Sequence, residues 1–135
     1  NGRNPIVAHE YLGDSVEGKT VFIADDIIAS GESMLEVASN LKARGAKRII
    51  ADATFPLFTS GLDKFDKAVE EGTLDYVVGT NLTYRKPELL NRDWYVDVDV
   101  SKYAAYFIVA LNHDMSVSSI IDPIKKIEAL LASRK

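Results

Sequence analysis

Apolar and polar positions along this chain fall into short unbroken apolar runs separated by longer stretches in which apolar residues recur every third or fourth place. Thr20 to Ala24 is a continuous apolar stretch of strand length, the pattern of a strand covered on both faces. From about Gly31 to Arg44 the pattern changes, and Met34, Leu35, Ala38 and Leu41 form a helical stripe that Gly45 ends. Arg48 to Phe55 predicts a second strand, and Pro56 to Gly61 a loop. Gly61 to Glu71 sets Leu62, Phe65, Ala68 and Val69 among charges at helical spacing and stops at Gly72. Asp75 to Gly79 predicts a third strand, a long polar loop containing Pro87 runs through Asn91, and Trp94 to Val98 is a fourth strand. Ser101 to Asn112 predicts a more fully apolar helix whose run from Tyr103 to Leu111 calls for cover on most sides. A last helix starts near Asp122, with Pro123 in its first turn. Ahead of all these, Pro5 to Ala8 is a short extended candidate and Asp14 to Lys19 a turn.

Strands that alternate with helices predict βαβ units, hence an α/β fold with a mostly parallel central sheet and right-handed crossovers. Ligands in such sheets gather beyond the carboxyl ends of the strands. Asp25 and Asp26, the loop after Phe55 and the loop after Thr80 are all expected there. At 135 residues the chain fits one domain with a core of its own. It has no cysteine, which excludes disulfides and thiolate metal sites, and His9 and His113 lack zinc-site spacing, so no metal ligand set is expected. A formal charge of −4 argues against a nucleic-acid partner. Neither a membrane-spanning run nor a signal peptide is visible, so the default expectation is a cytoplasmic protein. The chain opens on Asn1 rather than methionine, which raises the expectation of a longer parent protein.

The segment with the clearest chemistry is Val21 to Ser33, where an apolar run meets two aspartates, two isoleucines and the small turn Ala29-Ser30-Gly31-Glu32-Ser33 at a helix start. Carboxylates accept hydrogen bonds from sugar hydroxyls, whereas turn amides, serine hydroxyls and the positive end of a helix dipole receive phosphate. A sugar phosphate satisfies both halves. Thr80, Asn81 and Thr83, at another strand end, are candidates for the sugar or a pyrophosphate. Simpler roles suit other polar and aromatic residues. Arg3 and His9 read as solvated loop residues, His113 as the end of a helix, and Trp94, Tyr95, Tyr103, Tyr106 and Phe107 as core or subunit interface.

Val21 to Ser33 resembles the 5-phosphoribosyl-1-pyrophosphate (PRPP) signature of type I phosphoribosyltransferases and ribose-phosphate pyrophosphokinases. Leu12 to Lys19, Leu41 to Ala46, Thr54 to Gly61 and Ser116-Val117-Ser118 resemble the C-terminal half of the pyrophosphokinases, so the likeness covers nearly the whole chain. It implies a phosphoribosyltransferase-like three-layer fold in which Asp25 and Asp26 bind the ribose hydroxyls and Ala29, Ser30, Gly31, Glu32 and Ser33 wrap the 5-phosphate. It also implies transfer of pyrophosphate from Mg-ATP to ribose 5-phosphate, with Mg2+ expected in the full-length enzyme and a homo-oligomer. The catalytic loop and an ATP-binding N-terminal half are expected upstream of Asn1, so the isolated chain is expected to be inactive. Three positions depart from the pattern. Ala29 stands where aspartate is common, Glu32 adds a negative charge beside the phosphate, and Phe55 replaces a usual histidine. The alternatives are a free-standing phosphoribosyltransferase using PRPP and a non-catalytic regulatory or oligomerisation homologue.

Overall fold

A computed structural model describes residues 13–133. The readings of Arg3, Pro5 to Ala8 and His9 lie outside them. Strands β1 (Thr20–Ile28), β2 (Arg48–Pro56), β3 (Tyr76–Thr80) and β4 (Tyr95–Val98) form one sheet in sequence order, and every neighbouring pair is parallel. Helices α1 (Glu32–Ala43), α2 (Asp63–Glu70) and the short α3 (Pro87–Leu90) are the connections. With right-handed crossovers and strands taken in order, successive connections fall on one face of the sheet. That face holds the core, where Ile49, Ala51, Ala53 and Val77 of the sheet meet Met34, Ala38 and Leu41 of α1 and Phe65 and Ala68 of α2. The α/β fold with a parallel sheet expected from the apolar blocks is thus the one found.

Three local readings change. Strand β1 continues through the aspartates to Ile28, with Asp25 opposite Ala53, Ile27 opposite Phe55 and Ile28 opposite Pro56. The apolar run ends at Ala24, but a backbone ladder does not require apolar side chains, so the acidic pair lies inside the strand rather than after it. Phe22 is 59% exposed, so β1 is covered on one face among the described residues and not on both. Proline and the residues after it also form helix where a polar loop was expected, since Pro87 suits a first helical turn and starts α3.

Helix α1 shows how sequence sets a boundary. Past its last turn, Gly45 adopts φ +87°. Its N–H donates to the Lys42 carbonyl at 2.9 Å, and the Ala46 N–H donates to the Leu41 carbonyl at 3.2 Å. This paired closure needs a left-handed residue, and glycine takes that conformation without steric cost. Ala46 is then buried and leads into β2.

The chain divides into two compact units, with the sheet and α1 to α3 in the first and residues from Asp99 onward in the second. The second holds α4 (Ser101–Asn112), α5 (Ser118–Ile121) and α6 (Ile124–Ala132). The expectation that α4 would be covered on most sides is not met by the described residues. Ala110 is its one buried residue, while Ile108 and Leu111 are 68% and 70% exposed. A helix apolar around most of its girth needs more neighbours than one short helix such as α5 provides. His113 stands at the C-cap of α4, the position read for it.

An aromatic cluster fills part of the first unit's core. Phe58 meets Phe65 edge-on at 4.9 Å between ring centres, and Phe65 stacks with Trp94 at 5.9 Å. Trp94 and Tyr95 are buried, as expected. Asp66 fixes the Trp94 edge of the cluster, accepting from Trp94 Nε1 at 2.7 Å and from Arg92 Nε and Nη2, each at 2.8 Å. Burial alone pushes the Asp66 carboxyl up, but the hydrogen bonds from Arg92 and Trp94 and the charge of Arg92 outweigh it and hold the group below the ordinary 3.8. A carboxyl lowered by folding contributes its stability fully above the unfolded-state value and loses it as pH falls through the folded-state value. Asp66→Asn is therefore expected to lower the melting temperature at neutral pH, with the gap to the parent protein narrowing below about pH 4. Melting curves from pH 7 to pH 2.5 measure this, and a gap constant across that range would contradict it.

Candidate functional site

The candidate site begins at Asp25 and Asp26, both exposed near the carboxyl end of β1. Asp25 Oδ1 accepts from the Asp26 N–H at 2.8 Å, which fixes one oxygen and leaves the other carboxylate oxygens directed to their surroundings. Four residues on, the chain turns through Ala29, Ser30 and Gly31 into α1. Gly31 is the N-cap, with φ +81° and ψ −4°. It has two reasons to be glycine. The backbone is left-handed, and a Cβ built there would lie 2.3 Å from Cε2 and Cζ of the fully buried Phe65.

No side chain caps α1. Ser30 Oγ accepts a long 3.4 Å contact from the Glu32 N–H, and the N-cap Gly31 brings no side chain of its own to the helix end. An uncapped helix start with its dipole's positive end toward a small-residue turn favours an anion. Ala29 is held by the neighbouring loop, since its carbonyl accepts from the Thr59 N–H at 2.9 Å. The Ile28 carbonyl accepts from Leu57 and Phe58, at 2.9 and 3.2 Å. Phe58 makes those contacts in a left-handed conformation of its own, φ +46°, with its ring in the core. The turn is thus clamped from the β2 side by backbone bonds and from below by the Phe65 ring.

Glu32 is the first residue of α1, and its Oε1 accepts from Lys64 Nζ at 2.6 Å. Phe55 is 38% exposed opposite Ile27. Thr80 closes β3, two strands from the aspartates, or about 10 Å at the usual strand spacing. Its hydroxyl donates to the Thr54 carbonyl at 2.6 Å and accepts from the Leu82 N–H at 3.2 Å. The Asn81 N–H donates to the Val98 carbonyl at 3.1 Å. Thr80 and Asn81 therefore tie strand ends β2, β3 and β4 together beside the site. Among the candidate residues, Asp25, Asp26 and Ala29 to Ser33 form one continuous feature, while Thr80 and Asn81 stand on a second wall with Thr83 two residues further on. Lys64, Phe65 and Phe58 also bear on the turn. The sequence marks Phe65 as part of the α2 stripe, but only strand order brings it beneath Gly31.

Among the described residues no group of three histidines, cysteines or carboxylates could hold a metal ion, and no helix is long and apolar enough to cross a membrane. Asp52, in the middle of β2, has its carboxyl raised by desolvation.

A parallel sheet whose first strand carries paired carboxylates into a glycine-capped helix start defines a phosphoribosyltransferase-like α/β fold. The chain belongs to the phosphoribosyl synthetase-associated domain family, whose model matches residues 5–122. It is similar to the ribose-phosphate pyrophosphokinases of Shewanella oneidensis, with 29% identity across 81% of this chain and 33% of that protein, and of Vibrio cholerae, with 30% identity across 82% and 34%. A shorter likeness, 41% identity over half of this chain, is to the orotate phosphoribosyltransferase of Oceanobacillus iheyensis. The phosphoribosylpyrophosphate synthetase structure from Mycobacterium smegmatis shares the fold, at a TM-score of 0.65 over 76% of this chain and 33% of that one. The chain thus spans about a third of the length of these pyrophosphokinase relatives.

Proposed function

We propose that this chain is the ribose 5-phosphate-binding or PRPP-binding part of a ribose-phosphate pyrophosphokinase, which converts ATP and ribose 5-phosphate to AMP and PRPP. The carrying observation is the continuity of the exposed Asp25-Asp26 pair with an uncapped, rigidly supported turn at the start of α1. On this reading the two carboxylates accept from ribose hydroxyls, and residues 29–33 surround the 5-phosphate. Thr80 and Asn81 form the second wall, on the side of the anomeric carbon. The anomeric oxygen attacks the β-phosphorus of ATP, its bond to that phosphorus forms as the α,β-bridging bond breaks, and AMP leaves. Most of the rate enhancement for such a transfer comes from positioning and from stabilising charge.

The sugar's orientation is this chain's contribution. The nucleotide half and the basic catalytic loop are assigned to other parts of a longer protein, in line with the fraction of each relative that is matched. Mg2+ binds through one or two carboxylates together with substrate phosphates and water, so Asp25 and Asp26 suit it when a phosphorylated substrate is present. Its chemistry would be neutralisation of the phosphates. Assembly as a homo-oligomer in the cytoplasm belongs to the same proposal, and the exposed apolar side chains of α4 are consistent with a protein neighbour. A base-transferring enzyme is less well served, because Ala29 has no acid to offer a nucleobase.

Calorimetric titration with ribose 5-phosphate, PRPP and AMP tests the reading. The sugar phosphates are expected to bind, AMP is expected to compete with them because it carries the same ribose hydroxyls and 5-phosphate, and the isolated chain is expected to form no AMP from ATP and ribose 5-phosphate. Steady AMP production by the chain alone would remove the need for a second half. Failure of both sugar phosphates to bind would favour the regulatory homologue.

A further inference from the structure

We propose that Lys64 is a positioning residue for the phosphate turn, holding the Glu32 carboxylate clear of the space into which the turn's amides point. The inference rests on the ribose 5-phosphate reading of that turn. Glu32 immediately follows Gly31 and opens α1, so its flexible side chain has two destinations. Folded back over the turn, it places a carboxylate where the substrate phosphate belongs and competes with it. Drawn outward, it keeps the favourable interaction of an acid with a helix N-terminus and leaves the turn open.

The structure contains the device that selects the second destination. Lys64 Nζ lies 2.6 Å from Glu32 Oε1, linking the first turn of α2 to the first turn of α1. The next residue along α2 is Phe65, whose ring lies against Gly31. The first turn of α2 therefore supports the phosphate turn twice, with a ring under its glycine and a cation on its acid. Lys67, one turn further along α2, is paired instead with Glu71 at that helix's C-cap, 3.6 Å away. Lys64 also offsets the negative charge that Glu32 would otherwise present to an incoming dianion.

The pair is half exposed, with side-chain exposures of 49% for Lys64 and 59% for Glu32, so its effect on affinity is modest. Lys64→Gln is expected to weaken ribose 5-phosphate binding about two- to five-fold, the range of an exposed ion pair. Inorganic phosphate should weaken by a similar factor, because the repulsion acts on the phosphate and not on the sugar. Glu32→Gln should bind phosphate more tightly than the parent, because it removes a negative charge from the turn that receives the dianion. The informative protein is the double variant, which should bind like Glu32→Gln alone, because Lys64 has nothing left to restrain. Raising the salt concentration should shrink the Lys64→Gln effect.

Calorimetry on the four proteins, with melting curves to show that each is folded, decides the matter. If the double variant stays as weak as Lys64→Gln, Lys64 acts on the phosphate directly and the positioning role is overturned. Unchanged binding by Lys64→Gln also overturns it while leaving the ribose 5-phosphate reading in place. If the parent protein binds neither sugar phosphate nor inorganic phosphate, the reading and this inference fall together.

Discussion

Replacing Asp25 and Asp26 together by asparagine is expected to lower ribose 5-phosphate affinity about 100-fold while leaving the fold intact. A hydrogen bond that gains from an ionised acceptor contributes about 1.5–3 kcal/mol, so losing the charge on two acceptors costs about 3 kcal/mol, or about two powers of ten. Both residues are exposed. An asparagine in place of Asp25 retains a side-chain oxygen to accept the backbone N–H contact seen at 2.8 Å, so stability should change by less than about 0.5 kcal/mol. The sign of the effect is diagnostic. If the carboxylates merely ended a strand, removing two negative charges would strengthen the binding of a phosphate dianion. Equal or tighter binding by the double variant, measured by calorimetry, would therefore exclude the sugar-binding role.

Gly31→Ala is expected to damage both binding and stability. A left-handed conformation costs an L-residue about 1–2 kcal/mol, and overpacking a well-filled core adds about 1–3 kcal/mol. At Gly31 both apply, because φ is +81° and the new methyl group would lie 2.3 Å from the Phe65 ring. The turn must shift to relieve that overlap, which moves the amides proposed to receive the phosphate. The sum is about 2–5 kcal/mol of stability, together with a loss of ribose 5-phosphate binding. Combining Gly31→Ala with Phe65→Leu separates the causes, since the smaller side chain relieves the overlap but not the backbone strain. Partial recovery of the melting temperature is expected in the double variant. Equal stability of the parent and Gly31→Ala proteins in urea would show that the turn is not held as described.

The sequence is informative where local chemistry decides the structure. Helix α4 occupies the residues that its apolar block marks, and Gly45 ends α1 as a glycine stop should. The aspartate pair and its turn are also legible, because carboxylates, a glycine and small hydroxyl residues lie within one short segment. Signals fail where distant segments meet. Nothing in Gly61 to Glu71 says that Phe65 will lie beneath Gly31 or that Lys64 will reach Glu32, since those contacts depend on the order of strands β1 and β2 and the placement of α2. The apolar pattern ends β1 too early for a related reason. An apolar run records burial, whereas the strand is defined by backbone pairing, and pairing continues through Asp25 to Ile28 opposite β2. Ser30 and Ser33 are natural caps by residue type, yet Gly31 takes the N-cap and leaves the helix start open.

That open start makes Glu32 the position at which the substrate reading is most exposed to failure. An acid within the turn would oppose phosphate if it faced inward, and its ion pair with Lys64 at 2.6 Å turns it toward α2. On the ribose 5-phosphate reading, the same geometry reconciles a phosphate-binding turn with an acid at its start.

The most direct measurement is an amide-resolved NMR titration of the chain with ribose 5-phosphate. The largest saturable shifts are expected at the N–H groups of residues 29–33, accompanied by shifts at Asp25 and Asp26, with little change in α4. Saturable binding whose shifts fall elsewhere and leave residues 25–33 unmoved would contradict the assignment of this turn as the ribose 5-phosphate site.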